Sequence, residues 1–132
     1  HADNFGMGDR GNLLADVDIE TGEISRVIGG FWPSTEVFSA HPLTGRSFAG
    51  FRLPGWSQVL NICAKAGEVF PLMKIHHWDI ALTDRGPQIL ELNDIGGTQI
   101  PQMHGRGLLT EATRDFLKRH ADRTAHPWVK SL

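Results

Sequence analysis

The sequence predicts an α+β fold, an antiparallel sheet with flanking helices. Two pairs of strand-like segments are each joined by a turn, and two other segments have the apolar spacing of helices. Strands and helices are mixed without the regular alternation that builds a parallel sheet. The length of 132 residues suits one domain, and 40% apolar residues suffice for a core.

The first strand pair lies near the start of the chain. Apolar residues occupy every second position, at Leu13, Ala15, Val17 and Ile19. This period predicts a half-buried strand, the Glu-Thr-Gly-Glu stretch at 20–23 predicts a turn, and residues 24–28 form the returning strand. Residues 29–56 are rich in Gly, Pro, Ser and Thr, so we expect mostly loop with a short strand near 36–38.

Two helices are predicted. Ser57 can cap the first, whose apolar positions keep helical spacing at Val59, Ile62, Cys63, Ala66 and Phe70. The second spans 108–120 and turns its apolar side inward at Leu109, Ala112, Phe116 and Leu117. Residues 121–132 are expected to form a tail of one partial domain that covers 1–132.

Composition excludes several functional classes. A net charge of -2 gives no broad attraction to nucleic acid or to an anionic membrane, and no apolar run approaches the ~20 residues of a membrane span. Cys63 is the sole cysteine and cannot form an internal disulfide, which fits a reducing cytoplasm. Because the chain begins at His1, on residues typical of a domain interior, we expect it to be part of a longer domain.

The second strand pair carries the candidate chemistry. Residues 73–83 and 88–93 predict two strands around the three-residue loop Asp-Arg-Gly at 84–86. That loop pairs Thr83 with Pro87, and counting back sets Asp79 opposite Glu91 and His77 opposite Asn93. A four-residue loop would pair Asp79 with Leu92, which the hydrophobic pattern disfavours.

Asp79, Glu91 and Asn93 therefore share one face, and all three offer oxygen donors. Opposed residues have Cβ atoms roughly 4.5–5.5 Å apart, so the two carboxylates repel each other unless a cation lies between them. Mg²⁺ prefers carboxylate and carbonyl oxygens, usually with substrate phosphates completing its shell. A solvent-facing hairpin with ordinary polar residues remains the alternative.

The same stretch resembles the ATP-grasp pattern, in which an acidic residue on one strand and a Glu-x-Asn pair on the next bind Mg²⁺-ATP. Further segments are similar to the bacterial sugar-transfer-associated ATP-grasp family. These are Asn-Phe-Gly-Met-Gly at 4–8, His-Pro-Leu-Thr-Gly at 41–45, Gly-Phe-Arg-Leu-Pro-Gly-Trp at 50–56 and Trp-Asp-Ile-Ala at 78–81. The resemblance covers roughly residues 4–120. Asp-Ile-Gly-Gly at 94–97 departs from a more aromatic stretch in that family.

The resemblance implies the C-terminal, metal-binding and ATP-binding half of an ATP-grasp domain. Asp79, Glu91 and Asn93 would bind Mg²⁺, or Mn²⁺, and Asn4 would lie on the phosphate or substrate side. A complete domain of this kind is an ATP-dependent ligase that activates a carboxylate as an acyl phosphate, which an amine then attacks. We expect the chain to be inactive without the lysine-bearing N-terminal half. We also expect it to associate with that half or with a second copy of itself.

Two alternatives stay open. The chain could be a non-enzymatic, truncated module that binds a partner, or a divalent-cation-binding domain that uses the same carboxylates without nucleotide. His76 and His77 are adjacent on a strand and point to opposite faces, so they cannot chelate one ion together.

Overall fold

The computed structural model describes residues 12–31, 34–93 and 96–120. These residues form two antiparallel sheets and three helices, which confirms the α+β class. The predicted Asn4 and the predicted tail at 121–132 lie outside the described residues. No helix of the described part is long and apolar enough to cross a membrane.

The first sheet has three strands in chain order: β1 (Leu13–Val17), β2 (Ile24–Phe31) and β3 (Ser34–Val37). The turn before β2 closes at Gly22, whose φ of 73° favours glycine. A Cβ at Gly22 would lie 2.5 Å from Cγ of Trp56, so the turn also rests directly on an aromatic ring. The Trp56 indole Nε1 donates a 2.8 Å hydrogen bond to the Ile19 carbonyl and fixes that contact.

Helix α1 (Trp56–Gly67) packs against the second sheet. Its N-cap is Gly55, at a φ of 68°, so the predicted cap at Ser57 is wrong by two positions. Val59 is buried, and Ile62, Cys63 and Ala66 are half-buried, as the spacing predicts. Burial also raises the pKa of the Cys63 thiol, which suits a core residue and not a nucleophile. Phe70 lies beyond the end of the helix.

The second sheet is the hairpin of β4 (His77–Thr83) and β5 (Gly86–Asn93). Two helices follow: the short α2 (Gln99–Gln102), which the sequence did not predict, and α3 (Glu111–His120). Helix α3 begins at 111, not at the predicted 108, because the Thr110 hydroxyl accepts a 3.2 Å hydrogen bond from the Thr113 amide and caps it. Leu109 and Ala112, predicted to point inward, are exposed.

The segment after α2 returns to the first sheet and is held there by polar contacts. Arg26 on β2 donates a 2.7 Å hydrogen bond from Nη1 to the His104 carbonyl. Arg106 forms a 3.2 Å ion pair with Asp16 on β1. His104 is only 7% exposed, and neither ring nitrogen has a hydrogen-bond partner within the described part of the chain. These contacts link the loop that follows the hairpin to the three-stranded sheet.

The buried His104 ring predicts a loss of stability on acidification. Burial is the largest cause of a lowered pKa at His104; nearby Asp16 opposes it, and Arg26 and Arg106 reinforce it. The unfolded chain therefore binds a proton more readily than the folded chain, and the free energy of unfolding falls as the pH drops below about 6.5.

The measurement is urea unfolding of the parent, His104→Gln and His120→Gln across this pH range. The dependence of the free energy of unfolding on pH should become weaker in His104→Gln. It should stay unchanged in His120→Gln, because His120 is exposed. Equal slopes in the parent and in His104→Gln would contradict this account of the buried ring.

Candidate functional site

The hairpin of β4 and β5 pairs Asp79 with Glu91 and His77 with Asn93. Both predicted pairings are confirmed, and the two carboxylates are cross-strand neighbours with exposed side chains. Side chains that pair directly project from the same face of a sheet. The structure thus brings together the three oxygen-bearing residues that the sequence singled out.

The turn between β4 and β5 differs from the predicted turn. Thr83 pairs with Gly86 and not with Pro87, so the turn has two central residues, Asp84 and Arg85. The Thr83 hydroxyl stabilises it by donating to the Gly86 carbonyl (2.7 Å) and accepting from the Arg85 amide (3.2 Å). Gly86 has a positive φ, 103°.

A β-bulge at Leu90 compensates for the shorter turn. Ile80 pairs with Ile89, whereas Asp79 pairs with Glu91, so Leu90 is the extra residue and has no partner across the hairpin. Its side chain is 68% exposed. If the hairpin had the same two-residue turn and no bulge, Asp79 would lie opposite Leu90. The bulge is therefore what aligns the two carboxylates.

The bulge also corrects the predicted neighbours of the carboxylates. The three-residue loop would have put Ile89 opposite Ala81, on the face of Asp79. In the structure Ile89 pairs with Ile80 and lies on the other face, while Ala81 pairs with Gln88. Ile75, which precedes β4, is 52% exposed.

Asn93 is oriented by Glu91. Its side-chain Nδ2 donates a 3.1 Å hydrogen bond to Oε1 of Glu91, which leaves its carbonyl oxygen available to another ligand. Two carboxylates and an amide oxygen form a hard donor set of the kind that suits Mg²⁺ or Mn²⁺. No group of three His, Cys, Asp or Glu side chains suited to a metal ion occurs among the residues that the structure describes. A cation at this face would need further oxygens from a ligand such as a polyphosphate.

A cleft of about 430 Å³ opens beside the hairpin. Residues of the hairpin, three of them polar, line the cleft together with residues of the loop that follows β5. It is lined by His77, Trp78, Asp79, Asn93, Gly96, Gly97, Ile100 and Pro101. The loop side was missed in the sequence, where the adjacent glycines at 96 and 97 were the available signal.

Gly96 makes the closest approach between the loop and the hairpin. A Cβ built at this position would fall 1.9 Å from Cγ of the His77 ring, inside the imidazole itself. The loop can therefore rest on His77 only because residue 96 has no side chain. His77 is half-buried by this contact and faces the cleft on the same sheet face as Asp79.

The rings of His76 and Trp78 pack on one another with centroids 5.4 Å apart, while Phe70 lies 6.2 Å from each. His76 and His77 therefore have separate neighbours, in keeping with their predicted divergence. The aromatic cluster anchors the first strand of the hairpin to the segment that follows α1.

One comparison with known proteins identifies a family. The family model described as sugar-transfer associated ATP-grasp matches residues 1–116 of the chain. No curated protein and no solved structure matches the chain. The match spans the hairpin, the loop at 96–101 and most of α3.

Substitution of Gly96 by Ala should displace the loop from His77. Overpacking of this kind costs typically 1–3 kcal/mol unless the loop moves away, so we expect a lower melting temperature or altered amide signals for residues 97–100. Gly107→Ala is the matched control, because a Cβ there meets no atom of the described residues within 4 Å. Thermal unfolding and amide NMR spectra measure both effects. If Gly96→Ala and Gly107→Ala behaved alike, the close packing of the loop on His77 would be refuted.

Proposed function

Because the chain belongs to the sugar-transfer associated ATP-grasp family, a family of ATP-binding, ligase-like modules, we propose that it supplies the Mg²⁺-ATP-binding face of an ATP-dependent ligase. The observation that carries this proposal is the bulged register of the hairpin, which sets Asp79 opposite Glu91. We further propose that this is the C-terminal portion of the ATP-grasp domain.

Asp79, Glu91 and the amide oxygen of Asn93 are the proposed metal ligands. Mg²⁺ is usually held by one or two carboxylates together with substrate phosphates, which is the number of carboxylates that this face offers. When bound, the cation would neutralise charge on the transferring phosphoryl group and align it. The protein side chains would thus position the nucleotide and would not act as nucleophile or base.

In the proposed reaction, an oxygen of a carboxylate substrate attacks the γ-phosphorus of ATP. The bond from that phosphorus to the β–γ bridging oxygen breaks, and ADP leaves. An amine then attacks the acyl carbon of the acyl phosphate, phosphate departs, and the nitrogen loses a proton to give an amide. The hydrogen bond from Asn93 to Glu91 would keep both side chains in place during the first step.

The proposed site also requires a second protein surface that closes over the hairpin. Among the residues that the structure describes, no Lys or Arg side chain lines the cleft, so the phosphates would need cationic partners from elsewhere. Between α1 and β4, the side chains of Val69, Leu72 and Ile75 are exposed, and apolar patches of this kind mark interfaces. The remaining half of an ATP-grasp domain or a second copy of this chain would close over the hairpin. We expect the chain by itself to be inactive. We also propose that it belongs to the cytoplasm of a bacterium.

Thermal unfolding of the parent chain with Mg²⁺, with ATP and with both tests the proposal. Mg²⁺ and ATP together should raise the melting temperature, because a ligand at a hundred times its dissociation constant adds about 2.7 kcal/mol of stability. Asp79→Asn should lose this gain. Without metal, it should be more stable than the parent by about 0.2–1 kcal/mol, since it removes a like-charge cross-strand pair.

Asp84→Asn is the matched control, because Asp84 is an exposed carboxylate in the turn of the same hairpin. It should keep the full response to Mg²⁺ and ATP. A response to Mg²⁺ that ATP does not enhance would favour the simple cation-binding domain. The polar-hairpin alternative would prevail if neither ligand changed the melting temperature and Asp79→Asn matched the parent.

A further inference from the structure

The lining of the cleft beside the carboxylate pair is of two chemical kinds. Its polar residues are His77, Asp79 and Asn93, of which Asp79 and Asn93 are ligands of the proposed cation. Its apolar residues are Trp78 on β4 and Ile100 and Pro101, both within the short helix α2. The cleft volume of about 430 Å³ falls within the range of small-molecule sites, roughly 300–1,000 Å³. A ligand that suits this lining combines an anionic or polar group with a hydrocarbon part.

The loop that carries Ile100 and Pro101 is held in place by contacts on both sides of these residues. On the hairpin side, Gly96 rests on the His77 ring with no room for a side chain. On the far side, Arg26 holds the His104 carbonyl at 2.7 Å, and the His104 ring is buried. Ile100 and Pro101 lie between these two anchors, so the cleft is bounded by a fixed wall.

We propose that this cleft binds the acid substrate, a carboxylic acid with a short aliphatic body. Its carboxylate would face the cation held by Asp79 and Glu91, and its hydrocarbon would lie against Ile100 and Pro101. The inference rests on the proposed function, because it needs the cation that function assigns to the hairpin. It adds the chemical class of the acid and the side chains that select it.

The charge of the polar lining residues determines how binding depends on metal. Asp79 lines the cleft, Glu91 is its cross-strand neighbour, and none of the described residues that line the cleft is a Lys or Arg. An acid entering without a cation would meet like charge, so the empty cleft repels it. Binding of the acid therefore requires Mg²⁺. Contact with Ile100 and Pro101 makes the affinity depend on the length of the hydrocarbon.

The experiment titrates acetate, butyrate and hexanoate into the isotope-labelled chain with and without Mg²⁺ and follows the amide signals of Gly96, Gly97 and Ile100. With Mg²⁺, affinity should rise by about threefold to fourfold for each methylene that becomes buried. Ile100→Ser should flatten this dependence on chain length. Leu43→Ser should preserve it, because Leu43 is 90% exposed and is not among the described residues that line the cleft.

The outcomes separate this inference from the proposed function. Shifts that require Mg²⁺ and grow with chain length in the parent support the inference even if Ile100→Ser does not fold. If Mg²⁺ perturbs Asp79 and Glu91 but the three acids bind equally or not at all, the cleft assignment is overturned and the metal site stands. Acid binding without Mg²⁺ would also overturn it. If Mg²⁺ itself perturbs neither carboxylate, with or without ATP, the metal site and the inference fall together.

Discussion

The register of the hairpin formed by β4 and β5 is the constraint on which the candidate site depends. Side chains alternate between the two faces of a strand, so a slip of one residue would move Glu91 to the face opposite Asp79. A two-residue turn alone would produce that slip. The bulge at Leu90 absorbs one residue and restores the alignment. Because Leu90 is largely exposed, the molecule loses little buried apolar surface by displacing it.

The remaining elements support this hairpin from two sides. Helix α1 contacts β5, and the aromatic cluster around Trp78 holds β4, so the carboxylate face is left open. On that open side, the contact between Gly96 and His77 brings the following loop beside Asp79. The ion pair of Arg106 with Asp16 then connects the loop to the first sheet. The site thus lies where the two sheets are linked by a short stretch of chain.

The sequence predicted the carboxylate pair correctly because two errors in the predicted hairpin cancel. The turn is one residue shorter than predicted, and the bulge adds one residue, so the differences cancel at Asp79 and Glu91 but not at Ile89. Periodicity could not reveal this, because Leu90 is apolar and reads as an inward residue although it is exposed. Positive φ at Gly86 is compatible with either turn length, so the glycine did not discriminate between them.

Other features were predictable only in part for similar reasons. The α+β class and the apolar face of α1 followed from spacing, because several residues contribute to each pattern. The start of α3 depends on a single hydrogen bond to Thr110, and α1 begins after Gly55 without a side-chain cap, so spacing misplaced both starts. The cleft wall at Ile100 and Pro101 depends on a contact between Gly96 and His77, which are distant in sequence. Local patterns carry no information about such a contact.

Paramagnetic broadening by Mn²⁺ in the presence of ATP tests the central claim most directly, because it reports where the cation sits without requiring turnover. Mn²⁺ added to the labelled chain should broaden the amide signals around Asp79, Glu91 and Asn93 first, and the variant Asp79→Asn/Glu91→Gln should abolish that selectivity. Broadening spread over exposed acidic positions such as Asp18, Glu36 and Asp115, or unchanged in the double variant, would contradict the assignment of the hairpin face as the cation site.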